Sequence, residues 1–83
     1  MFYVYLIKST QHNWVYVGST SNLENRLQEH NAGAVRSTKF RRPYILIYHE
    51  TFDNVGSARQ REKKLKADRI EKESIVRKYG LIV

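Results

Sequence analysis

Two tyrosines lie in neighbouring aromatic-rich stretches, Tyr5 in FYVYLI (Phe2 to Ile7) and Tyr16 in WVYVGS (Trp14 to Ser19). The polar residues Thr10 to Asn13 between them read as the loop of an antiparallel hairpin. Ser9 then pairs with Trp14, Ile7 with Tyr16 and Tyr5 with Gly18. In that register Tyr5 and Tyr16 share a face as diagonal neighbours, within reach of a common group. Gly18 leaves space opposite Tyr5, and a one-residue slip would undo the arrangement. Aromatic residues on a strand face also pack without doing chemistry, and for these two alone packing is the simpler reading.

Other reactive types converge on the same possibility. Arg26 and His30 are four residues apart in LENRLQEHN, hence neighbours on one helical face beside Leu23 and Leu27. Ala58, Glu62 and Leu65 follow a helical period, which sets a carboxylate within an apolar stripe. A carboxylate buried there is costly unless a cation or a metal compensates it. An ion pair with Arg59, Arg61, Lys63, Lys66 or Arg69 competes evenly with a functional role for Glu62. Two phenols, a guanidinium, an imidazole and a carboxylate together suit phosphodiester hydrolysis.

The elements that must position these groups are short. Phe2 to Ser9 and Trp14 to Ser19 read as strands, and Thr20 or Ser21 caps a helix that ends at Asn31 and Gly33. Tyr44 to Phe52 is a third strand after Pro43, Val55 to Lys66 a helix capped by Asn54 or Ser57, and Asp68 to Tyr79 a further helix closed by Gly80. The order β-β-α-β-α-α predicts an α+β fold, a small three-stranded antiparallel sheet with helices packed on one face. No repeat, low-complexity segment or boundary divides the chain, so residues 1–83 are expected to form one domain.

Composition limits the function classes. The formal charge is +7, from 15 Lys and Arg against 8 Asp and Glu, which points to a polyanionic partner or to charge that maintains solubility. The chain contains no cysteine, which excludes disulfides and thiolate zinc sites and favours a hard ion on oxygen or nitrogen ligands. The apolar start stops at Lys8, so neither a signal peptide nor a membrane span is expected and the cytosol is the default compartment. Arg36, Lys39, Arg41 and Arg42 in the linker, with Arg59, Lys63 and Lys66 on the second helix, would track a phosphate backbone without reading sequence.

In this order and spacing the residues resemble the GIY-YIG nuclease family, most of all its small single-domain bacterial members. Tyr3-Val4-Tyr5 matches the first family motif, Tyr16-Val17-Gly18 the second, Arg26 the helical arginine, and Glu62 the metal-binding glutamate. Tyr3 stands where the motif has glycine, and Val4 and Val17 replace isoleucine. The likeness runs from Phe2 to about Lys66.

The resemblance implies a DNA endonuclease working with one Mg²⁺ or Mn²⁺ ion on Glu62, which would neutralise charge developing on the phosphate. Tyr5 or Tyr16 would take the proton of the attacking water, Arg26 would clamp the scissile phosphate, and His30 would relay a proton or bind phosphate. The expected substrate is nucleic acid, DNA before RNA, cut structure-specifically or non-specifically in repair or recombination, with any targeting left to a protein partner. A nucleic-acid-binding module without useful catalysis is the alternative. A basic protein that docks partners through its helices is a weaker third.

Overall fold

The computed structural model describes residues 1–80, so the last three residues of the expected 1–83 domain lie outside it. Strand β1 (Phe2–Ser9) is followed by β2 (Val15–Thr20), helix α1 (Leu23–Ala32), a short 3-10 turn (Lys39–Arg41), β3 (Tyr44–Phe52), α2 (Val55–Ala67) and α3 (Arg69–Tyr79). The sheet order is β2-β1-β3 and both pairings are antiparallel. Ile7 faces Tyr16 and Tyr5 faces Gly18, the expected register.

Helices cover both faces of the sheet, not the single face expected. Val4, Leu6 and Val17 pack with Ile47, Ala58, Leu65 and Ile75, so one pleat of the sheet meets α2 and α3. Tyr5, Ile7 and Tyr44 form a second cluster with Tyr16, Leu23 and Leu27, so the other pleat meets α1. The reason is visible in β1, where Val4 to Ile7 are all buried: a strand apolar on both pleats needs two covers.

β3 carries a β-bulge opposite Leu6 and Ile7: Leu6 pairs with Tyr48 but Ile7 pairs with Leu46, leaving Ile47 as the extra residue. A bulge shifts the side-chain alternation by one. Tyr48 and Ile47 both face α2 and α3 as a result, whereas Leu46 and Tyr44 turn toward α1.

The caps differ in detail from the expected ones. Asn22, not Thr20 or Ser21, caps α1 by accepting from the Asn25 N–H; Asn54 caps α2 and Asp68 caps α3 in the same way. Thr20 instead accepts from the Asn22 N–H, bracing the residue that caps. Gly33 ends α1 at φ 81°, left-handed backbone that suits glycine. Asn31 does not stop the helix; its side chain accepts from Tyr44 N at 2.6 Å and donates to Tyr44 O at 3.1 Å, bonding α1 to β3 as a neighbouring strand would.

Between the sheet and the paired helices, Arg61 is held by two carboxylates, with Nε 2.8 Å from Glu50 Oε1 and Nη1 3.0 Å from Glu71 Oε1. This links β3, α2 and α3 through one planar guanidinium.

Candidate active site at the open edge of the sheet

Tyr5 and Tyr16 lie on the α1 face, with ring centres 6.4 Å apart. The group between them is His30, whose ring centre is 5.8 Å from that of Tyr5 and 5.1 Å from that of Tyr16. Tyr5 Oη lies 2.7 Å from His30 Nε2, and His30 Nδ1 lies 2.8 Å from Thr38 Oγ1. Thr38 donates its own hydroxyl proton to Val35 O, so it accepts from His30 Nδ1–H. That leaves Nε2 as the acceptor for the Tyr5 O–H.

This chain of hydrogen bonds is sealed. His30 and Thr38 have no exposed surface and Tyr5 is 2% exposed. Burial pushes the Tyr5 phenol up to about 12, only partly opposed by the nearby Arg26 guanidinium. Burial, then the Arg26 charge, pulls His30 down to about 4, so its imidazole is neutral at pH 7. A neutral imidazole with both nitrogens bonded is not a phosphate-binding cation. What this geometry gives His30 is a hydrogen bond that holds the Tyr5 hydroxyl in place.

Gly18 sits directly under the Tyr5 ring. A Cβ there would lie 2.6 Å from Tyr5 Cζ and 2.9 Å from Tyr16 Cε2. The space expected opposite Tyr5 is therefore occupied by the Tyr5 side chain itself, and only glycine permits the approach. Tyr3, which stands where the family motif has glycine, lays its ring edge-on to His49 at 5.9 Å.

Glu62 comes to the site from the opposite face of the sheet. Its Oε1 accepts from Ser19 Oγ at 2.6 Å, and its Oε2 lies 2.8 Å from Lys66 Nζ. Burial raises the carboxyl, but the Lys66 ammonium and the Ser19 hydroxyl outweigh it and hold the group below the usual carboxylate range. Lys66 Nζ also stands 5.7 Å from the centre of the Tyr16 ring. Lys66 thus reaches from Glu62 on one side of β2 to Tyr16 on the other. The site is built across β2, an edge strand of the sheet among the described residues.

Arg26, on α1, forms an ion pair with Glu29 at 3.0 Å, which raises its pKa and leaves its side chain 35% exposed. The remaining basic residues separate. Arg59 and Lys63 are exposed, and Arg59 lines a cavity of about 190 Å³ with Ser19, Thr20 and Ser21 beside α2. Arg36, Lys39, Arg41 and Arg42 are exposed, but the Arg41 guanidinium lies 4.7 Å from the Trp14 ring centre and the Arg42 guanidinium packs against Gly33 at the end of α1. Lys66, expected as a phosphate contact, is already engaged with Glu62.

A single carboxylate with water fits a hard divalent ion such as Mg²⁺, which keeps most of its hydration shell. No cluster of three or more His, Cys, Asp or Glu side chains occurs among the described residues, and Glu62 is the carboxylate that would hold an ion here. Its entry requires Lys66 to leave Oε2.

Three supporting residues escaped the sequence reading. Ser19 follows from strand alternation, since Val17 and Ser19 must face α2 if Tyr16 and Gly18 face α1. Thr38 and Tyr44 had no signal, because the turn that buries Thr38 and the bulge that aims Tyr44 leave no pattern in the chain.

Residues 1–73 match the model of the GIY-YIG catalytic domain. A UPF0213 protein of Staphylococcus haemolyticus is 43% identical over 65 residues, 77% of this chain and 78% of that protein. A UPF0213 protein of Pediococcus pentosaceus is 40% identical over 82 residues, 96% of this chain and 85% of that protein. The NMR structure of a UPF0213 protein from Bacillus halodurans is similar with a TM-score of 0.58 and 27% identity, covering 99% of this chain and 89% of that one. With the motifs, the β-β-α-β-α-α architecture and these matches in agreement, the chain belongs to the GIY-YIG family of nuclease domains.

Proposed function

We propose that this protein is a divalent-metal-dependent DNA endonuclease whose site lies across the β2 edge. The observation that carries the reading is the convergence of Tyr5, His30, Tyr16, Lys66 and Glu62 in one continuous chain of contacts. Glu62 would hold one Mg²⁺ or Mn²⁺, which supplies charge neutralisation at the phosphate. Arg26, paired with the half-buried Glu29, exchanges that partner for the scissile phosphate and spreads its charge through a planar fork of donors. Tyr16, the more exposed phenol, takes the proton of the attacking water. Tyr5 keeps its proton, donating it in a hydrogen bond to His30, and fixes the floor on which Tyr16 stands.

Nicked, branched and single-stranded DNA incubated with Mg²⁺ or Mn²⁺, and with chelator, provides the test. Metal-dependent cleavage by the wild type, lost about 100-fold or more in Glu62→Ala and Arg26→Ala, is the expected result. Binding by all three proteins without cleavage would sink the enzymatic reading.

One observation favours a second reading, a nucleic-acid-binding module: both oxygens of Glu62 are occupied by groups of the chain itself. On that reading Lys66 takes the place of the metal for good, and added Mg²⁺ changes nothing.

A further inference from the structure

The turn Lys39–Arg41 displays a large apolar ring in the most basic stretch of the surface. Phe40 is 79% exposed, between Lys39 and Arg41 and close in sequence to Arg36 and Arg42. The turn that carries it is fastened at both ends. Tyr44 Oη donates to Thr38 O at 2.9 Å, and Thr38 Oγ1 is bonded to His30. On the other side Ser9 Oγ donates to Arg41 O at 2.6 Å, and the Arg41 guanidinium rests on Trp14. The Phe40 backbone is thus fixed to β1, β3 and α1 while its side chain faces water. Lys39 Nζ stands 5.0 Å from the ring centre and still leaves most of the ring open.

An exposed phenyl ring on a firmly held, strongly cationic turn fits a partner that is anionic along its backbone and flat and apolar between its charges. We propose that Phe40 is a base-stacking element, packing on the face of an unpaired nucleotide base while Arg36 and Lys39 meet the flanking phosphates. In a duplex the base faces are covered, and insertion would first have to unstack a step. In a single strand or a locally unpaired segment the faces are open, and stacking on an aromatic side chain tolerates any base. The inference rests on the nucleic-acid reading above but is independent of hydrolysis. Thr38 connects the turn to the chain of hydrogen bonds that ends at Tyr5, so a strand held by Phe40 is held by the same rigid unit that supports the site.

Anisotropy titrations in chelator tell stacking from charge. A fluorescent single-stranded oligo(dA) is compared with an oligomer of the same length and phosphate count whose central nucleotides are abasic, using wild type, Phe40→Ala and Phe40→Trp across a salt series. Wild type is expected to bind the intact strand about 10-fold more tightly than the abasic one. Phe40→Ala should erase that difference with an unchanged salt slope, and Phe40→Trp should restore it. Phe40→Ala that still distinguishes the two strands as wild type does overturns the proposal, as it would if the ring serves a protein partner. Absence of binding to any oligomer by the wild type at low salt overturns the nucleic-acid reading itself and the proposal with it. Phe40 is exposed, so a circular dichroism melt should show all three proteins equally folded.

Discussion

At the residue scale, Tyr5 and Tyr16 share a hairpin face and yet have opposite surroundings. Tyr5 donates into a sealed imidazole, whereas Tyr16 lies toward Lys66 and the carboxylate. Tyr5→Phe leaves the buried His30 Nε2 without its donor and should cost about 1–3 kcal/mol. In a domain this small each kcal/mol lowers Tm by about 4–8 °C, which calorimetry measures. Tyr16→Phe should change Tm little and lower cleavage by about 100-fold or more. Equal stability losses in the two variants would contradict the division of roles. The sequence placed these phenols on one face through the hairpin register, because a short polar loop between aromatic strands admits few pairings. It could not tell them apart, since what separates them is Thr38 and Tyr44, brought in from the other end of the linker.

At the scale of elements, α2 brings two kinds of side chain to two different tasks. Arg61 turns inward to Glu50 and Glu71, and those carboxylates raise its pKa and hold the helix between β3 and α3. Glu62 and Lys66, one turn apart, point to the edge of β2. The period-3.6 pattern of Ala58, Glu62 and Leu65 made the inward carboxylate legible, and Ala58 and Leu65 are fully buried beside it. Its partner was one of five candidate cations; helical spacing favours Arg59 at i−3 and Lys66 at i+4 and does not choose between them. Lys66 is half-exposed and an i, i+4 pair contributes little to stability, so Lys66→Gln should leave the unfolding free energy within about 0.5 kcal/mol of wild type. The same change removes the ion's competitor at Oε2 and should tighten Mn²⁺ binding several-fold by calorimetry or electron paramagnetic resonance. Unchanged or weaker Mn²⁺ affinity would mean that Lys66 does not stand in the ion's way. Helices on both faces follow from the unbroken apolar run Val4 to Ile7 in β1, a signal that element order alone does not carry.

For the whole molecule, stability should depend on pH in two separate windows. His30 has a folded pKa of about 4 against an ordinary 6.5, so the unfolded chain binds its proton first. Stability is complete above 6.5 and falls as pH drops toward 4, by up to about 3 kcal/mol. Glu50, Glu62 and Glu71 are held below the usual 4.5, so their contribution is full above that value and is lost as pH falls below it, where the His30 window is closing. Urea midpoints at pH 7.5, 5.5 and 4.5 should decline for wild type, and His30→Gln should flatten the upper part of the curve. A flat wild-type profile between 7 and 5 would mean that the imidazole is not sealed. No helix among the described residues is long and apolar enough to cross a membrane. The strand and helix order was legible across the described chain; the β3 bulge was not, because it arises from two sheet faces competing for one strand.

That middle strand has a bearing on how the molecule comes into being. β1 precedes both of its neighbours in the chain, so during synthesis it must wait for β2 and then, much longer, for β3. The hairpin that carries both phenols is available early and by local closure. The seal around His30 requires Tyr44, and the carboxylate arrives only with α2, after every strand has been made. In a growing chain the proposed site is therefore incomplete until α2 has been made and docks against β2.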